Sequence, residues 1–115
     1  MLLSNIGVGD CDGNKVALTS TSAGTVIAAR SGARFVVTAI LIDSSGSAVA
    51  NGCTIGGTAF SAAPVIPVPA SSGAVVSLVA PIRGAANTAI TATLGTSPSG
   101  TVNVTLVGFW EPIAS

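Results

Sequence analysis

The sequence predicts an all-β protein: an antiparallel β-sandwich, jelly-roll-like, of seven to eight short strands. Three observations carry that expectation. Ala, Ser, Thr and Gly make up more than half of the chain, Val and Ile are plentiful, and Glu, Lys and Gln are almost missing, a mixture that favours pleated sheet and tight turns over helix. Apolar and polar residues alternate over short stretches, the period of a half-buried strand. Clusters of Gly, Ser, Pro and Asn interrupt those stretches at regular spacing, as the turns of a sandwich do. No Cys-Trp-Cys spacing supports a true immunoglobulin domain.

At 115 residues the chain suits one domain, expected over 15–115, preceded by an N-terminal arm over 1–14. The arm segment has no clean period. Its Asp10 and Asp12 before Gly13 resemble the start of a calcium loop, but Thr21 stands where the closing bidentate Glu is needed, so a turn capped by its own side chains is expected. Residues 15–19 read as a short edge strand, with Lys15 guarding the edge against foreign pairing. Residues 25–30 form a strand that Ser31, Gly32 and Ala33 turn directly into the next, as a hairpin.

That next strand, 34–43, is the longest nearly unbroken run of β-branched and apolar residues. Strict alternation puts Phe35, Val37, Ala39 and Leu41 on one face and Val36, Ile40 and Ile42 on the other. Both faces need cover, so this is expected to be an inner strand with the second sheet on one side and a partner layer or subunit on the other. Ser44, Ser45, Gly46 and Ser47 are expected to close a second hairpin. Residues 49–60 are strand-like but interrupted by Gly52, Gly56 and Gly57, which suggests bulges. Pro64, Pro67 and Pro69 make 61–73 an extended connection or an edge.

Residues 74–80 form a strand that Pro81 is expected to end, and a loop follows to Asn87. In 88–94, Ile90, Ala92 and Leu94 are expected to face in and Thr91 and Thr93 out. The last strand, 101–110, alternates most strictly, with Val102, Val104, Leu106 and Gly108 on one side and Thr101, Asn103 and Thr105 on the other. It ends in Phe109 and Trp110, half of the aromatic residues. Trp110 is expected to plug one end of the sandwich or to lie at a subunit contact, with Phe109 pointing to the opposite side.

Charge is scarce: four Lys or Arg, four Asp or Glu, no His, net zero, 7% in all. A free monomer usually carries roughly 25%, so such a surface is expected to associate with itself or with an assembly. Nucleic acid is excluded as a partner, because Lys15, Arg30, Arg34 and Arg83 are scattered along the chain. A membrane is excluded too: no stretch approaches the roughly 20 apolar residues of a spanning helix, and the aromatic girdles of outer-membrane barrels are missing. The first residues lack the features of an export signal. Cys11 and Cys53 are either free or bonded to each other.

No enzyme, metal or cofactor is expected. Without His or Tyr a Cys nucleophile lacks its base, two separated cysteines make no metal set, and Asp10, Asp12, Asp43 and Glu111 form no convincing acid–base pair. Gly56 and Gly57 lack the strand-then-helix context of a phosphate loop. Asn103, Val104 and Thr105 fit a glycosylation sequon inside a strand, where chance explains it better. Arg83 is expected to be solvated in its loop.

Across residues 24–111 the pattern resembles small β-sandwich proteins of tailed-bacteriophage virions, in particular head decoration or cement proteins. The carrying segments are Gly24-Thr-Val-Ile-Ala-Ala-Arg-Ser-Gly-Ala-Arg-Phe-Val-Val-Thr-Ala-Ile, then Pro81-Ile-Arg-Gly-Ala-Ala-Asn-Thr-Ala-Ile, then Gly100-Thr-Val-Asn-Val-Thr-Leu-Val-Gly-Phe. The resemblance implies a homotrimer on the capsid surface of the virion, made in the host cytoplasm, that binds the major capsid protein and clamps the assembled head. Met1, Leu2, Leu3 and Ile6 of the arm, with Phe109 and Trp110, are the candidate subunit or shell contacts. The alternative is a fibre, neck or tail-tip module that binds a host-surface receptor or glycan.

Overall fold

Eight strands form two antiparallel four-stranded sheets in this computed structural model, which describes residues 11–69 and 73–113 and, of these, all side chains except those of residues 11 and 73–80. In chain order the strands are β1 (Cys11–Leu18), β2 (Gly24–Ile27), β3 (Ala33–Ser44), β4 (Val49–Gly56), β5 (Val65–Val68), β6 (Gly73–Arg83), β7 (Ile90–Leu94) and β8 (Val102–Pro112). Sheet A has the order β1-β8-β3-β6 and sheet B the order β2-β7-β4-β5. First thus pairs with last, second with seventh, third with sixth and fourth with fifth, the pattern of one long hairpin rolled up on itself. That is the jelly-roll-like sandwich the composition and turn spacing predict. Residues 1–10 of the expected arm lie outside the described residues.

The core lies between the sheets. Phe35, Val37, Ile40 and Ile42 of β3 and Val102, Val104 and Leu106 of β8 meet Cys53 and Ile55 of β4 and Ile90, Ala92 and Leu94 of β7. The alternation expected in β7 and β8 is present residue by residue, and β3 is an inner strand between β8 and β6. Its face assignment needs correction. The ladder slips by one residue between Val37 and Ala39, so Thr38 is an extra residue opposite β8, and its hydroxyl donates to the Val107 carbonyl at 3.1 Å. A bulge reverses the side-chain parity beyond it. Ile40 and Ile42 therefore join Phe35 and Val37 in the core, while Ala39 and Leu41 join Val36 on the outside, and Leu41 is 38% exposed rather than buried.

Both expected hairpins are also corrected. β2 and β3 belong to different sheets, as do β3 and β4, so the turns at Gly32 and at Ser44–Ser47 carry the chain from one sheet to the other. Contacts far apart in sequence fix those corners. Asn87, itself left-handed at φ 54°, accepts from the Gly32 amide at 2.7 Å and donates its own amide to Ala33 at 3.0 Å. At the other end Ser45 donates its amide to the Thr101 carbonyl at 3.0 Å, and its hydroxyl accepts from the Thr101 amide at 2.9 Å.

The edges follow the expected chemistry with shifted bounds. β1 starts at Cys11, so residues 11–14 extend the edge strand that holds Lys15. β6 runs through Pro81 to Arg83 instead of ending before the proline; it can, because β6 is an edge strand and its ladder to β3 breaks over residues 78–81. Pro67 lies in β5, an edge strand of sheet B, and the irregularity expected near Gly52 appears in β4, where Asn51 and Gly52 take positive φ.

Candidate interaction surfaces

Trp110 organises one end of the sandwich. It follows Gly108 on the inner side of β8 and packs partly buried against the core, its ring edge-to-face with Phe35 at 5.2 Å and 76°. Its indole Nε1 donates to Asp12 Oδ2 at 3.2 Å, while Asp12 Oδ1 accepts from the Gly13 amide at 2.8 Å. The Arg30 guanidinium lies 4.1 Å from the ring centroid, a cation–π contact worth about 0.5–1 kcal/mol at such an exposed site. Beside these groups Asn14 donates to the Val26 carbonyl at 2.9 Å, and an open cavity of about 300 Å³ runs between Asp12, Asn14, Ile27 and Arg30. Trp110 thus plugs this end, as expected, but the face it presents outward is covered by Arg30.

Phe109 points the other way. It belongs to the outer face of sheet A, paired in register with Val36 and, across β8, with Cys11 at the start of β1. Phe109 and Trp110 are therefore not one surface. Met1, Leu2, Leu3 and Ile6, the remaining expected contacts, lie outside the described residues.

The outer face of sheet A also gathers charges that are scattered in the sequence. Arg34 Nε lies 3.4 Å and Arg83 Nε 3.5 Å from the same Glu111 Oε1, so two cations share one carboxylate. Arg83 is accordingly not a loop residue but the end of β6. Lys15 and Asp43 occupy the same face, on β1 and at the far end of β3. The outward residues of sheet B are Thr25, Thr54, Thr91 and Thr93, with Val65 and Pro67 exposed on its edge, and no charged side chain stands among the described residues there. The signal for this clustering was present in principle: Arg34 and Glu111 hold outward positions on strands that pair, but that pairing joins the third strand to the last.

Cys53 is free and fully buried, so it forms no bond with Cys11. Burial pushes its thiol up from 9.0 to about 11, with a backbone hydrogen bond at Thr93 pulling the other way. The thiol is therefore held neutral and is no nucleophile. Because the unfolded chain releases this proton near 9 and the folded chain keeps it until about 11, the unfolded state binds fewer protons in between, and stability falls as pH rises through that window. The expected loss is about 2–3 kcal/mol between pH 9 and 11. Urea melts of wild type and Cys53→Ala check it: the variant should be less stable throughout yet lack this alkaline decline, and an equal decline in both would refute the assignment.

The architecture and the two surfaces define a class: a small jelly-roll-like sandwich with no cluster of metal-holding side chains among the described residues. No protein-family model and no curated protein matches the chain. Among solved structures it is similar to a chain of the acidic stable capsid structure of Helicobacter pylori bacteriophage KHP30, at 9% identity and a TM-score of 0.56, over 92% of this chain and 94% of that one. A chain of the cyanophage Pam1 capsid asymmetric unit is similar at 22% identity and a TM-score of 0.47, over 86% and 82%.

Proposed function

We propose that this chain is a structural virion protein, a capsid decoration or cement protein that binds the assembled head through the major capsid protein and stabilises it, with no catalytic role. The observation that carries the reading is the near end-to-end match of its rolled-up eight-stranded sandwich to a chain of a phage capsid structure. A surface with so little charge supports it, because such a surface is better suited to an assembly than to a free monomer. In this reading the sandwich is one domain, the segment before it is an anchoring arm, and the protein is a homotrimer on the outside of the head.

Purified heads lacking the protein provide the test. Full-length protein should sediment with them and raise their disruption temperature, because a ligand that binds only the assembled shell stabilises it by mass action. Deleting Met1 to Gly9 should leave a folded oligomer with nearly unchanged melting and lower head occupancy tenfold or more, which takes a loss of only ~1.4 kcal/mol of contacts. Protein that ignores heads but binds host cells would instead make the cavity beside Trp110 the first place to look for a receptor or glycan site.

A further inference from the structure

We infer that the outer face of sheet A is a self-association surface, on which two copies of this chain pair face to face about a two-fold axis that lies in the face and runs perpendicular to the strands.

The first ground is the character of the face. β3 is an inner strand, and its outward residues Val36, Ala39 and Leu41 lie beside Val107 and Phe109 of β8. This is an apolar centre on the side away from the core; Val36 is sealed by its neighbours at 1% exposure, so the open apolar surface comes from Leu41 and the partly exposed Ala39, Val107 and Phe109. Leu41 is 38% exposed there. Sheet B turns threonines outward instead. A four-stranded face of roughly 20 Å by 30 Å would bury on the order of 1,200 Å² in a pair, the low end of what stable interfaces use.

The second ground is charge, and it selects both the occupant and the orientation. One end of the face is positive, because Arg34 and Arg83 share the single carboxylate of Glu111, and Arg34 Nε is itself buried without a hydrogen bond. The other end carries Asp43, exposed on the same strand about 30 Å from Arg34. A copy turned end for end sets its Asp43 over Arg34, between Arg83 on one side and Glu111 on the other, and the match repeats at the opposite end. An axis along the strands would stack Arg34 on Arg34 and Asp43 on Asp43. Lys15, on the edge strand β1, stands level with Leu41 two strands away, at the rim of the Asp43 half of the face. An isologous contact requires this self-complementarity, and here one strand supplies both halves of it.

Such a contact pairs copies whatever else joins them. Two homotrimers of the kind proposed above pair through it in free solution as a six-membered particle of dihedral symmetry, and a chain without the threefold contact pairs through it as a dimer. The inference concerns the isolated chain and does not depend on the shell reading, so no heads are needed to test it. In sedimentation equilibrium the full chain should contain an even number of copies and weaken its association as salt is raised. Leu41→Lys should halve the particle mass while melting as wild type does at concentrations low enough to dissociate both. Asp43→Lys and Arg83→Asp should each weaken association roughly tenfold or more, and combining them, which exchanges the two ends, should restore most of it. A wild-type mass of one or three copies overturns the inference. So does a mass indifferent to these substitutions, including the case in which they reduce head binding alone, or a double variant no better than either single one.

Discussion

Phe35→Ala is expected to cost about 3–5 kcal/mol of folding stability, whereas Leu41→Ala, further along the same strand, is expected to cost under about 1 kcal/mol. Phe35 is fully buried, faces the second sheet and supports the ring of Trp110 edge-on, so its truncation opens a cavity and removes an aromatic contact together. Leu41 lies beyond the bulge at Thr38, on the outer face, with over a third of its surface open. Urea melts at concentrations low enough to suppress self-association separate the two. Comparable losses would mean that β3 runs without a change of parity and that Leu41 belongs to the core.

The same pair of residues shows what could be read from the chain and what could not. That 34–43 forms an inner strand follows from its composition, because an uninterrupted apolar run cannot leave either face to water. Which residues face which way depends on one inserted residue, and Thr38 is marked by nothing local: it is a good strand former whose hydroxyl bonds to a carbonyl of the last strand. β7 and β8 were legible to the residue because no bulge interrupts their alternation. The corners were not, since Ser31 and Gly32 make a turn equally well inside one sheet or between two. What decides is Asn87 holding the Gly32 amide from 55 positions away. Pro67 and Lys15 marked edges correctly because a missing donor or a charge is tolerated at an edge wherever the neighbouring strand comes from, whereas Pro81, expected to end its strand, lies inside β6.

The candidate surfaces show a similar division. Trp110 and Phe109 were visible as an aromatic pair, and strand parity alone places them on opposite sides. Their partners were not visible: Asp12 and Arg30, which hold the indole, and Arg34, Arg83 and Glu111, which meet on the outer face, come together only through the pairing of early strands with late ones. A rolled-up hairpin brings its two chain ends side by side, so a site formed at the ends has no signature in spacing.

Gly108→Ala is expected to cost about 3 kcal/mol or more, against roughly 1 kcal/mol for Gly32→Ala, although Gly108 has ordinary strand conformation and Gly32 is left-handed at φ 77°. At Gly32 the penalty is conformational alone, for a Cβ built there meets nothing within 4 Å. At Gly108 the added Cβ would run into the Val36 carbonyl oxygen, a backbone atom that no rotamer change can move, and would also crowd the Phe35 ring at 3.1 Å. The strand pair β3–β8 would have to part just where the bulge begins, which loosens the two inner strands of sheet A and the support of Trp110 together. Chemical denaturation of both variants measures the difference, and the indole fluorescence of Trp110, the sole tryptophan, reports whether its setting has changed. If Gly108→Ala proves as mild as Gly32→Ala, β8 does not approach β3 as closely as its contacts with Val36 and Phe35 require.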